Sequence, residues 1–165
     1  MNTMAPDRPP EPKSCRVRLT TGPEGVPEAR SLVRAAVRSW EVSVDPDDAA
    51  LLTSELVTNA VQREPGQPVV LVITSSCGQL RVDVHDTSHS LPAVTNVSAD
   101  AETGRGLLLV AALSADWGCY LTPTGKAVYF TLTCQAQPGS HGQSAPPAAD
   151  PVQRSSGSRA AVASA

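Results

Sequence analysis

Aromatic residues are nearly missing from this sequence: two Trp, two Tyr and one Phe among 165 residues, 3% in all, against 41% hydrophobic residues. The core must therefore be aliphatic, built from Val, Leu and Ala. An excess of basic charge is missing too. Net charge is -3 and the sequence pI is about 5.5. With no basic stripe to release counterions from a phosphate backbone, nucleic acid is not an expected partner. No apolar run approaches the ~18 residues that a membrane-crossing helix needs. No apolar stretch follows the first basic residues, so neither a signal peptide nor a membrane association is expected. Cysteine pairs are also lacking: Cys15, Cys77, Cys119 and Cys134 are scattered and form no Cys-x-x-Cys. That argues against a zinc site and a disulfide scaffold, and for reduced thiols in a cytoplasmic protein. His85 and His89 stand four apart without a Cys or acidic ligand at metal spacing. Neither the Gly-x-Ser-x-Gly elbow nor the P-loop pattern occurs.

What is present falls into three parts. Residues 1–13 are Pro-rich and polar, and residues 136–165 are Gly, Ser, Ala, Pro and Gln with few large apolar side chains. Such composition cannot offset ordering entropy, so both are expected to be disordered, leaving a domain over about 14–135. Within it, Ser14–Thr20 alternates apolar and polar like a strand. Pro27 suits the first turn of a helix whose apolar stripe is Ala29, Leu32, Val33, Ala36, Val37 and Trp40. Arg30, Arg34 and Arg38 fall on one side of it and read as a solvated face. Asp45 is an N-cap, with Pro46 just inside, for a second helix to about Gln62. The break Pro65-Gly66-Gln67-Pro68 leads to a hairpin of Val69–Thr74 and Leu80–His85. Residues 87–103 lack periodicity and read as a long loop of the lid kind. A third helix is expected from near Gly106, then strands Asp116–Leu121 and Ala127–Cys134. The order predicts an α+β two-layer sandwich: a mixed, mainly antiparallel sheet with helices on one face.

Four segments carry chemistry. Glu55 and Asn59 lie one helical turn apart beside the apolar face of the second helix. An Asn carbonyl oxygen suits Mg²⁺, and a Glu beside it can orient water or take a proton; a solvent-facing pair on an amphipathic helix has the same spacing. Asp86, ending a strand, can accept from an exocyclic amine, with Thr87 and Ser88 adding water-bridged contacts. An Asx-turn closing the strand uses the same residues. Gly104-Arg105-Gly106 before Leu107-Leu108-Leu109-Val110 lets the backbone turn tightly and presents helix N–H groups and Arg105 to an anion, or serves only as a loop entering a helix. Gly125-Lys126 is most simply a hairpin turn; a nucleotide contact for Lys126 is the second reading.

Together, Glu-Leu-Val-Thr-Asn-Ala at 55–60, Val-His-Asp at 84–86, Gly-Arg-Gly-Leu-Leu-Leu-Val at 104–110 and Gly-Lys-Ala-Val-Tyr-Phe at 125–130 resemble the N, G1, G2 and G3 boxes of the GHKL, or histidine-kinase-like, ATPase domain. Ala-Asp-Trp-Gly at 115–118 resembles the stand-alone branch, the actinobacterial anti-sigma-factor serine/threonine kinases. The resemblance implies a Bergerat-type ATP-binding fold with ATP and Mg²⁺ as cofactors. It makes Glu55 the catalytic base and Asn59 the metal ligand. It places nucleotide on Asn59, Asp86, Ser88, Gly104, Arg105, Gly106, Leu107 and Lys126. The partners it implies are an anti-anti-sigma (STAS-type) protein, phosphorylated on Ser or Thr, and a sequestered sigma factor, with a homodimer through the first strand and helix. Two departures stand out: residues 87–90 hold no glycine after Asp86, and Ala-Val-Gln-Arg-Glu-Pro follows Asn59 where relatives often carry a His. They leave open an alternative, a non-catalytic anti-sigma or other regulatory binding module.

Overall fold

The computed structural model describes residues 11–92 and 102–135. The tail 136–165, almost all of the N-terminal segment and most of the expected lid therefore lie outside the described residues. The chain order is β1 (Lys13–Arg18), α1 (Gly25–Ser39), α2 (Pro46–Arg63), β2 (Val70–Ser76), β3 (Gln79–Asp86), α3 (Glu102–Leu113), β4 (Asp116–Thr122) and β5 (Gly125–Thr133). The five strands form one sheet in the order β1-β2-β3-β5-β4. Every pairing among them is antiparallel, so the parallel pair that a mixed sheet would need is not found among the described residues.

Period-two alternation builds the sheet's inner face. On β3 and β5 the register opposes Leu80 to Leu132, Val82 to Phe130 and Val84 to Val128, and the next pair on that face is Asp86 and Lys126. The six apolar members of this ladder are buried. Leu71 and Ile73 of β2 continue the layer beside it. Phe130 is completely buried at the centre of this aliphatic sheet; truncating such a ring to Ala costs about 3–5 kcal/mol.

Helix α2 is the middle of the second layer, touching α1, α3, β3 and β5. It starts where the sequence places it. The Asp45 carboxylate accepts from the N–H groups of Asp47 at 2.7 Å and Asp48 at 3.3 Å, and Pro46 occupies the first turn. Its buried Thr53 and Ser54 donate their hydroxyls to the carbonyls of Ala49 and Ala50, so neither polar side chain is orphaned among the apolar residues. Helix α1 buries Ala29, Val33, Ala36 and Val37. Its Arg34 donates to Asp47 at 2.9 Å, an exposed tie between α1 and the start of α2 that contributes roughly 0–1 kcal/mol.

The third helix begins at Glu102, not near Gly106. Gly104 and Gly106 therefore belong to the first turns of α3 itself. The Leu107–Leu113 run is helical as expected, with Leu107 and Val110 buried.

The outer face of the sheet is organised around Asp83. Arg81 donates to both carboxylate oxygens at 2.8 Å, and the Tyr120 hydroxyl donates to Oδ1 at 3.0 Å. The Arg81 guanidinium lies 3.8 Å from the centroid of the Tyr129 ring. The bidentate bonds to Asp83 raise the Arg81 pKa above its already high ordinary value.

Candidate functional site

The polar end of the β3–β5 ladder opens beneath α2 and the start of α3 into a narrow recess of about 20 Å³. Asn59 and Arg63 line it from α2, Asp86 from β3, Leu107 from α3 and Lys126 from β5. Leu56, Val84, Val128 and Pro92 supply apolar walls.

Two close approaches set this geometry. At the turn between β4 and β5, Gly125 faces the end of β3, where a Cβ would collide with the Asp86 carbonyl oxygen and the Thr87 backbone. Glycine there lets β5 run in register with Asp86 and sets Lys126 opposite it. At the start of α3, a Cβ on Gly106 would come to 2.5 Å from Oε2 of Glu55, so the missing atom leaves the Glu55 carboxylate its place against α3.

Asp86 and Lys126 form a buried ion pair. Nζ donates to Oδ1 at 2.9 Å, with side-chain exposures of 1% for the lysine and 4% for the aspartate. The same Oδ1 accepts the Ser88 N–H at 2.9 Å. Asp86 thus closes an Asx-turn, as one reading of this strand end expects, and it also lines the recess. The Ser88 hydroxyl accepts from the Ser90 N–H at 3.3 Å, so it is engaged in the local turn.

Asn59 is the reverse case. Its side-chain amide makes no hydrogen bond among the described residues, and Nδ2 is fully buried without a partner. An orphaned amide on the wall of a recess points to a ligand, since buried polar groups otherwise find partners. Glu55, one turn earlier, touches Gly106 and has no hydrogen-bond partner among the described residues. An Asn oxygen with a neighbouring carboxylate fits Mg²⁺, which retains waters and takes few protein ligands when phosphate is present. The donor set therefore fits a nucleotide with its metal.

The structure thus gathers Asn59, Asp86, Leu107 and Lys126 around one recess, ties Ser88 to it through Asp86, and sets Glu55 beside it against Gly106. Arg105 is exposed on the first turns of α3 and does not line the recess; Gly104 lies in the same turns. The expected glycine loop ahead of the helix is corrected to helix, because the amide-rich first turn starts at Glu102. Sequence reasoning passed over Arg63. Its signal was present: it stands four residues after Asn59 and so shares its helix face.

The α+β sandwich, with this recess between helices and sheet, has the architecture of a histidine kinase-like ATPase fold. A family model, the histidine kinase-like ATPase domain, matches residues 19–132, and the chain belongs to that family. Domains of this kind bind ATP, usually with Mg²⁺. No curated protein matches the chain.

Proposed function

We propose that the chain binds Mg-ATP in this recess and acts as a serine/threonine protein kinase of the anti-sigma-factor type, phosphorylating an anti-anti-sigma (STAS-type) protein and sequestering a sigma factor. The observation that carries the reading is the orphaned Asn59 amide on the same wall-and-floor arrangement as Asp86 and Leu107. The resemblance of Ala115-Asp116-Trp117-Gly118 to the stand-alone kinases supports the choice of branch.

The residues divide the work. Asp86 accepts from the base amine. Leu107, Val84 and Val128 shield the ring from water. Asn59 offers its amide oxygen to the metal. Arg63, exposed at the rim one turn later, places positive charge where phosphate would leave the recess. Glu55 orients the attacking hydroxyl and takes its proton. Bound Mg-ATP supplies the phosphoryl group and the charge that stabilises its transfer, and the protein's part is positioning and electrostatics.

The test is a calorimetric titration of the chain with ATP, with and without Mg²⁺, followed by transfer of labelled γ-phosphate to anti-anti-sigma proteins. Magnesium-dependent binding, lost in Asn59→Ala, together with a labelled serine or threonine, is the expected result. Binding without transfer to any such protein would replace the kinase by a nucleotide-dependent binding module. A sigma-factor complex that ignores nucleotide would point to a module working through surface contacts alone.

A further inference from the structure

Lys126 is 1% exposed, yet only one of its three ammonium N–H donors has a partner among the described residues, the Oδ1 of Asp86. The walls nearest this pair, Val84, Leu107 and Val128, offer no side-chain acceptor. Asp86 mirrors the lysine. Oδ1 takes both the Ser88 N–H and the Lys126 Nζ, while Oδ2 has no partner among the described residues. At this pair the recess therefore presents a free acceptor beside free donors. Both are held in place by the shared Oδ1, and both are costly to leave unmade in an apolar surround.

We infer that Lys126 is a base-reading residue, donating to a ring nitrogen of the adenine whose amine Asp86 accepts. The inference rests on the Mg-ATP reading above and deepens it. A carboxylate alone can hold only the exocyclic amine. A carboxylate and an ammonium side by side match an edge on which donor and acceptor are neighbours. Adenine has two such edges: its N6 amine lies between N1 and N7, both acceptors. The couple also keeps the pocket neutral, because the lysine charge balances the aspartate that would otherwise stand buried and unpaired. Recognition then depends on a ring nitrogen as well as on the amine. That makes Lys126 a specificity-determining residue and not only the strand-end partner of Asp86.

The experiment measures affinities of the full chain, in Mg²⁺, for ATP, 1-deaza-ATP and 7-deaza-ATP, each analogue replacing one ring nitrogen by carbon. One of the two analogues should bind the unmodified protein roughly tenfold or more weaker than ATP, the size of a hydrogen bond to a charged donor. Lys126→Met should erase that gap. Because this variant strands Asp86, the double variant Asp86→Asn/Lys126→Met is measured beside it; it is neutral, keeps an acceptor oxygen and should likewise not distinguish ATP from the analogue. If ATP binds and both analogues bind as tightly, or if the gap persists without Lys126, the inference is overturned while the nucleotide site stands. If the folded protein binds none of the three, the nucleotide reading falls and this inference with it.

Discussion

Gly106 lies so close to Glu55 that a methyl group on it would sit 2.5 Å from the Glu55 Oε2 and 3.4 Å from its Cβ. One missing carbon thus joins the start of α3 to Glu55 of α2, the residue given the proton-accepting role in the proposed reaction. The pairing is a positional constraint: the carboxylate keeps its place only while residue 106 has no side chain.

Gly106→Ala should therefore act on chemistry more than on binding. The carboxylate is the movable end of the contact, so it swings aside and the packing cost stays within the ~1–3 kcal/mol of a mildly overfilled site. Displacing a general base forfeits an effect on the order of 10²-fold in rate. The expected result is nearly normal ATP affinity with a large loss in phosphoryl transfer. A variant that transfers phosphate normally would remove Glu55 from the proton-accepting role.

The Lys126–Asp86 pair predicts a pattern in stability. Replacing one member leaves the other charge buried, so Lys126→Met should cost about 3–5 kcal/mol in urea unfolding. Replacing both, as Asp86→Leu/Lys126→Met, removes the desolvation of two charges and should recover most or all of that loss. The ladder above them, Val84 with Val128 and Val82 with Phe130, already sets an apolar context. A double variant no more stable than the single would show that the pair, and not its burial, holds the strand ends together.

Asn59 predicts the opposite sign. Its Nδ2 is buried without a partner. Asn59→Ala removes that unmet donor and puts the best helix former inside α2. The ligand-free protein should gain about 0.5–2 kcal/mol while magnesium-dependent ATP binding disappears. Thermal unfolding with and without nucleotide separates the two effects. Loss of stability with binding intact would make Asn59 a packing residue.

These three sites were legible to different depths. The helix boundaries around α2 follow from local chemistry, Asp45 and Pro46 at one end and Pro65-Gly66 at the other, and Glu55 and Asn59 follow from their spacing. The strand alternation marks Asp86 as an inward residue continuing the face of Val82 and Val84. The ion pair does not follow, because β3 and β5 are neighbours in the sheet but separated in sequence by α3 and β4, and register across that gap is set by tertiary packing. Lys126 accordingly read first as a turn residue, and its nucleotide contact came only from the resemblance. The glycines of 104–106 read as a loop, since glycine is poor in helix interiors; the helix contains Gly106 because a side chain there would strike Glu55.

His85, next to Asp86 but facing the outer side of the sheet, should give the protein a measurable pH dependence. Partial burial lowers its pKa below the ordinary 6.5, the cation of Arg16 pushes the same way, and Asp83 and Asp86 oppose them. The Tyr120 ring stands edge-on to the imidazole at 6.3 Å and adds to the apolar surround. Between the lowered folded pKa and 6.5 the unfolded chain binds a proton that the folded chain does not. Stability therefore rises with pH across that window, and His85's contribution is level above it. In acid the penalty grows until the pH passes the folded value, where both states are protonated. His85→Gln should flatten this part of the curve without altering it above neutrality. Chemical denaturation of both proteins at matched pH checks the sign, and an unchanged slope in the variant would assign the dependence to the carboxylates instead.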